Sequence, residues 1–392
     1  MALRFLTSGE SHGRGLLVVV EGLPAGLEVF PEDLEKGLAR RRRGYGRGAR
    51  MRLEKDRLTI WSGIRNGKTT GAPCGISIEN EEWEKWRPVL DPARHDAAGA
   101  TAGNVSCPRP GHADLAGAVK YGHRDMRNVL ERASARSTAA WTAAGLLAGL
   151  LLADIGVRVR GAVLSIGGTE AAPPDSEAEW ETAMSSDLGC PEKSAEAAFT
   201  ERIKEADEKK DTLGGAFLVS VTGLPPGVGS YAEWDRRLDG RLAAAVMAIP
   251  GIKGVEIGDG FRLAGLPGSL AHDAIFPDGR GGLERRSNHA GGLEGGMANG
   301  EEVLLKAVMK PIPTLRKPLP SVDVTTGETV SAHRERGDVC AVPAACVVAE
   351  AMVAWIIAAA VTEQFGGDRM EDLRRRFNDY VSEAGRFPHG RD

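Results

Sequence analysis

Two alanine-rich apolar stretches, residues 125–154 and 344–361, set the strongest limit on what this chain can fold into. In the first, Val129, Ala133, Ala140, Ala144, Leu147 and Leu151 recur every three to four residues, the spacing of one helix face. Such small side chains let another element approach closely. Arg132 and Arg136 stand four apart, so a continuous helix would project them together. The second stretch is the most apolar of the chain but carries Glu350 within it. A membrane span wants about 20 uninterrupted apolar residues, so this segment reads instead as a buried core helix continuing to Phe365, and no membrane partner is expected.

Around these helices the pattern is mixed. Residues 16–20 read as a buried strand, and 57–64 and 72–78 as two strands of an antiparallel hairpin turning at Asn66-Gly67. Further strands are expected at 157–166, 216–221 and 255–257, and helices at 31–43, where Pro31 suits an early position, and at 231–247. Strands and helices do not alternate regularly, which favours an α+β fold over a parallel doubly wound sheet. No linker, low-complexity tract or repeat divides the 392 residues, so a single domain over 1–392 is expected. A surface excursion is expected near 167–214, passing Pro173, Pro174 and Pro191 before an exposed helix and loop at 192–210.

Composition narrows the function. Average usage of about 7% glycine would give roughly 27 residues, whereas the chain has 51, so many loops must bring backbone close to something. A formal net charge of −4 excludes a globally basic nucleic-acid binder. Any cationic function must be local. Five cysteines form no C-x-x-C pair, and their odd number, with no secretion signal in the first residues, points to reduced thiols and a cytoplasmic location.

The local cations are easily found. Residues 40–57 hold Arg40, Arg41, Arg42, Arg43, Arg47, Arg50 and Arg52 with Gly44, Gly46 and Gly48 interleaved. Guanidinium forks on a glycine-relaxed loop suit carboxylate or phosphate. Few aromatic residues lie among them to stack on bases, which weighs against nucleic acid. Just upstream, Gly9-Glu-Ser-His-Gly13 matches the G-x-S-x-G pattern of a hydrolase elbow, but an elbow needs a helix after it and a strand-like run follows here. A non-hydrolytic active-site loop with His12 as candidate acid or base is preferred. Residues 63–69 fall one residue short of a P-loop and sit in a strand–turn–strand context. Arg109-Pro-Gly-His112 puts an arginine and a histidine at one turn. No zinc spacing occurs around His112, His123 and Asp125, so no metal is expected. Residues 288–300 are too glycine-dense for regular structure and suit a phosphate or flavin ring, and Arg334-Glu-Arg336-Gly-Asp338 adds cations beside carboxylates.

Taken in order, these segments resemble the chorismate synthase family. The likeness is carried by GESHG at 9–13, by RRRRGYGRGARM with Glu54 and Asp56, by RNGKTTGAPCGISIEN at 65–80 and by residues 109–139. It continues through GIKGVEIGDGF at 251–261, NHAGGLEGGMANG with MKPIPT at 288–314, and RGDVCAVPAA at 336–345. It runs from Arg4 to about Phe365. The resemblance implies an α+β fold with helices sandwiched between antiparallel sheets, usually as a homotetramer. It implies loss of phosphate from 5-enolpyruvylshikimate 3-phosphate by anti-1,4-elimination to give chorismate, with reduced FMN and no net redox change. Whether NADPH or an external flavin reductase supplies the reduced flavin stays open. By motif position, Arg41 and Arg47 would serve the substrate or NADPH, with Arg109 and Arg336 adding charge. Arg132, Ala133, Ser134, Pro250, Gly251, Gly295, Lys310, Pro311, Ile312, Pro313, Thr314 and Arg336 would line the FMN. His12 would act as acid toward the phosphate, His112 would stabilise the reduced flavin, and Asp338 would work in removing the second hydrogen, with Ser11 and Ser134 in the same proton network. Ser137 and His289 depart from the family pattern, at positions given no chemistry.

Overall fold

Alternation at the start of the chain builds one sheet. The computed structural model describes residues 3–48, 53–93, 103–279, 282–335 and 337–385. Strands β1 (Arg4–Gly9), β2 (Gly15–Glu21), β3 (Leu58–Ile60) and β4 (Cys74–Glu79) pair antiparallel in the order β1-β2-β4-β3. Leu16, Val18 and Val20 of β2, with Cys74, Ile76 and Ile78 of β4, are buried on the inner face. Leu17 and Val19 are exposed on the other, so residues 16–20 are buried within this chain on one side only, not fully as their apolar run implies. The expected hairpin at 57–78 is divided: Gly63 takes φ +82, and the Asn66-Gly67 turn, both residues at positive φ, closes a separate small hairpin of Ile64–Arg65 and Lys68–Thr69.

The second sheet gathers β5 (Arg158–Ile166), β6 (Thr169–Glu170), β7 (Gly215–Thr222), β8 (Ile252–Ile257) and β9 (Val303–Met309) in the order β8-β9-β7-β5-β6, again antiparallel. Helices pack on and between the sheets. They are α1 (Pro31–Arg42), α2 (Trp83–Leu90), α3 (Asp114–Tyr121), α4 (Arg127–Ala133), α5 (Thr138–Asp154), α6 (Glu177–Ser185), α7 (Lys193–Glu208), α8 (Leu238–Met247), α9 (Val342–Phe365) and α10 (Met370–Ala384).

The core is the contact between α5 and α9. Helix α5 lies on the first sheet and α9 on the second. Between them the backbones come so close that a Cβ at Gly145 would collide with the carbonyl of Ala351, the approach that an alanine-rich surface permits. The ring of Phe5 on β1 meets Trp355 of α9 edge-on, centroids 4.8 Å apart. Helix α9 is apolar on all sides and nearly all buried, as a central core helix must be. Its one buried charge, Glu350, receives both ends of the Arg40 guanidinium at 2.7 and 2.9 Å.

The helix expected over 125–154 is broken. Ser134 adopts an extended backbone (ψ 142°), and its hydroxyl accepts the N–H of Arg136, so local side-chain bonding displaces the helix and a 3₁₀ turn, Ala135–Ser137, leads into α5. Arg132 and Arg136 therefore part company. Arg132 reaches outward to Thr7 and the carbonyl of Gly9, while Arg136 turns inward to Asp56, Asn80 and the carbonyl of Glu79. Residues 167–214 hold two helices, α6 and α7, and Trp180, Phe199 and Ile203 anchor them in the core.

Candidate active site

The GESHG segment is the turn of the β1–β2 hairpin. A strand precedes it and a strand follows, so the hydrolase-elbow context is absent. The side-chain amide of Asn80 donates to the carbonyls of Glu10 and Gly13 at 3.0 and 2.8 Å and fixes the turn's shape. The end of α4 holds it from the other side, with the N–H of Ser11 donating to the carbonyl of Glu131 at 3.0 Å. Ser11 Oγ donates to Ser134 Oγ at 3.1 Å. His12 donates its backbone N–H to Glu131 at 2.8 Å, and its Nδ1 lies 3.0 Å from the same carboxylate.

This turn forms one wall of a cavity of about 680 Å³. The C-terminal turn of α1 brings in Arg41, and the loop after it brings Arg47 and Gly48. Arg41 is buried, and its hydrogen bonds go to neutral oxygens: Nε to Thr138 Oγ1 at 3.1 Å and Nη2 to the carbonyl of Ala135 at 3.0 Å. Burial pulls its guanidinium down to about 9, helped by the charges of Arg136 and Arg47 and opposed by Asp56 and Asp338. It remains a cation at neutral pH. Arg47 lies 3.1 Å from Asp338, which also accepts the N–H of Gly48 at 2.6 Å. One terminal nitrogen of each arginine, Arg41 Nη1 and Arg47 Nη1, is buried without a hydrogen-bond partner among the described residues.

Several other charges at the site are compensated. Glu54 and Asp56 neutralise Arg136, and Asp56 also faces Arg42 at 3.3 Å. Arg109 bonds to Asp114 through backbone and side chain and to Thr314 Oγ1 at 3.1 Å, while His112 Nδ1 lies 2.6 Å from Asp114. Burial alone would raise the Asp114 carboxyl, yet hydrogen bonds from His112 and Arg109 hold it well below the usual carboxylate range. Glu335 follows the same logic. Burial opposes its ionisation, but the His333 ring at 3.5 Å, Arg109 at 3.8 Å, His12 and Arg127 at 3.6 Å bring it down to about 2.

The opposite wall is more apolar. Met247 at the end of α8, Ile249 and Pro250 in the turn after it, and Ile252 at the start of β8, with Met309 and Pro311 at the end of β9, face the cavity. Gly251, at φ +89, accepts the backbone N–H of Lys310, and Lys310 Nζ donates to the carbonyl of Gly111, closing the floor. Lys253 lies beside it.

Of the residues singled out from the sequence, Ser11, His12, Arg41, Arg47, Arg109 and His112 line this one cavity. So do Ala133, Ser134, Pro250, Gly251, Lys310, Pro311, Ile312, Pro313, Thr314 and Asp338. Arg132 does not, being engaged with Thr7 and Gly9 on the outside, and Gly295 turns the small hairpin of Leu293–Glu294 and Met297–Ala298 away from the lining. Arg336 lies outside the described residues, as do Arg50 and Arg52. Trp86, Arg127 and Glu131 carry no assignment from the sequence. The i,i+4 spacing of Arg127 and Glu131 was the one local signal available. Among the described residues no group of three or more His, Cys, Asp or Glu side chains could hold a metal ion.

Comparison with known proteins identifies the family. The family model described as chorismate synthase matches residues 3–362. The chorismate synthase of Moorella thermoacetica is 51% identical over 381 residues, covering 96% of this chain and 98% of that protein. That of Trichlorobacter lovleyi is 50% identical over 390 residues, covering 97% and 99%. A crystal structure of chorismate synthase superposes with a TM-score of 0.80 at 39% identity, covering 99% of each chain. The chain belongs to the chorismate synthase family.

Proposed function

We propose that the cavity converts 5-enolpyruvylshikimate 3-phosphate to chorismate by anti-1,4-elimination of phosphate, the last common step of the shikimate pathway to aromatic amino acids. The observation that carries this reading is the pair Arg41 and Arg47, whose buried Nη1 donors find no acceptor among the described residues. A substrate with two carboxylates and a phosphate supplies such acceptors, and charge-assisted bonds to them are strong. The apolar wall at Pro250, Ile252, Met309 and Pro311, with Lys253 and Lys310 at its edge, fits a flat flavin ring carrying a phosphate. Ala133, Ser134, Gly251 and Lys310 through Thr314 would hold reduced FMN there. When bound, that cofactor lends electron density and recovers it, so the reaction consumes no oxidant.

The chain's own residues then supply position and protons. Arg41, Arg47 and Arg109 orient the anionic substrate, with Arg41 and Arg47 also available to NADPH. His12 protonates the departing phosphate, lowering its charge as the C–O bond breaks. His112, oriented by Asp114, stabilises the reduced flavin, and Asp338 works in removing the second hydrogen. Ser11 and Ser134, bonded to each other, complete the proton network. The protein works as a cytoplasmic homotetramer with reduced cysteines, a reading in keeping with five free thiols, four of them buried.

An anaerobic assay with purified protein, reduced FMN and 5-enolpyruvylshikimate 3-phosphate tests the whole reading: chorismate should form, and its absence with reduced flavin present would sink it. His12→Ala should keep FMN binding while losing about 100-fold or more in turnover. Wild-type rates in that variant would remove His12 from the mechanism.

A further inference from the structure

Glu131 is nearly inaccessible, at 3% exposure, although no role was assigned to it above. Its two oxygens receive three donors. The backbone N–H of His12 reaches it at 2.8 Å, His12 Nδ1 at 3.0 Å and Arg127 Nη1 at 3.0 Å. A second contact clamps the same imidazole: the Trp86 ring packs against it, centroids 4.3 Å apart, and the Arg127 guanidinium lies over Trp86 at 4.9 Å. Burial would raise the Glu131 carboxyl, yet the hydrogen bonds from His12 and the charge of Arg127 hold it below its ordinary range, so it is an anion at neutral pH.

A carboxylate facing one ring nitrogen decides which nitrogen does chemistry. It keeps the proton on Nδ1 and stabilises the imidazolium, as the buried aspartate of a serine-protease triad does for its histidine. We propose that Glu131 is the positioning residue of His12, holding Nδ1–H so that the proton on Nε2 is the one delivered to the leaving phosphate. The proton passes from Nε2 to a phosphate oxygen as the C–O bond breaks, and Glu131 stays ionised throughout. His12 is then neutral with its remaining proton on Nδ1, and solvent restores the other. The inference rests on His12 being the acid.

The test is a double-mutant cycle. Glu131→Gln keeps the size and removes the charge. It should lower kcat by about 100-fold, the scale of a lost general acid, with KM and FMN affinity within about threefold, and Glu131→Asp should recover part of the loss. In a His12→Ala background the same substitution should change kcat less than about twofold, because the group it positions is gone. Wild-type kcat in Glu131→Gln, or an equal loss with and without His12, overturns the proposal while leaving the reading of His12 intact. Wild-type turnover in His12→Ala alone overturns that reading and the proposal with it. Should Glu131→Gln fail to fold, the histidine 15N spectrum of the wild type decides: neutral His12 must carry its proton on Nδ1, and an Nε2–H tautomer sinks the idea.

Discussion

Arg41 sits where a packed interior would ordinarily place a hydrocarbon. It is 3% exposed and, among the described residues, hydrogen-bonded only to neutral oxygens, and its charge is destabilised by burial. A protein that keeps such a cation spends stability on binding. Removing it should leave nothing unpaired, because the carbonyl of Ala135 also accepts the Thr138 hydroxyl at 2.6 Å. Arg41→Met should therefore unfold at the same or higher denaturant concentration, gaining about 1 kcal/mol, while KM for substrate rises about 100-fold. A variant that loses stability and keeps its KM would show that Arg41 is structural. The run Arg40–Arg41–Arg42 displayed the charge in the sequence but not its division of labour. Successive helical residues point about 100° apart, and here one meets Glu350, one the cavity and one Asp56. Only the docking of α1 decides which. Glu131 was illegible for a related reason, since its partner His12 lies 119 residues away.

At the scale of elements, α9 shows how a charge is carried inside an apolar helix. Glu350 in the sequence served to exclude a membrane span; in the fold it is the anchor of α1. The pair is bidentate and its carboxylate side chain is 10% exposed. Breaking one side of a buried pair leaves an uncompensated charge, whereas replacing both with well-packed hydrocarbon is close to neutral. Arg40→Met and Glu350→Leu should each cost about 3 kcal/mol in denaturant unfolding, and the double variant should cost less than either. Additive losses would mean that the two do not act as a pair. The core helices were legible because their apolar periods are long and regular, whereas the strands Arg4–Gly9, Thr169–Glu170 and Val303–Met309 were not anticipated, although the last lies inside the second sheet. The break at Ser134 was not, because alanine periodicity passes through it unaltered, and the bonds that hold that serine extended, to Arg136, Ser137 and Ser11, form only in the fold.

For the molecule as a whole, the first sheet poses a problem that one chain does not solve. The run Leu16 to Val20 is apolar throughout, the composition of a strand covered on both faces. Among the described residues only the inner face is covered. On the outer face Leu6 pairs in register with Val19, and Leu17 lies across from Ser77, so the exposed apolar side chains gather beside Trp61, which is 74% exposed. Contiguous apolar patches of this kind mark interfaces, and in a homo-oligomer a second copy offers the same patch back. The homotetramer proposed above accounts for the sequence pattern that the isolated fold leaves unused. Analytical ultracentrifugation should find four chains per particle. Leu6→Glu combined with Val19→Lys should reduce the particle to a smaller species while leaving the far-UV circular dichroism unchanged, because neither side chain enters the core. A tetramer that survives both charges would place its contacts elsewhere and leave the outer face of the sheet unexplained.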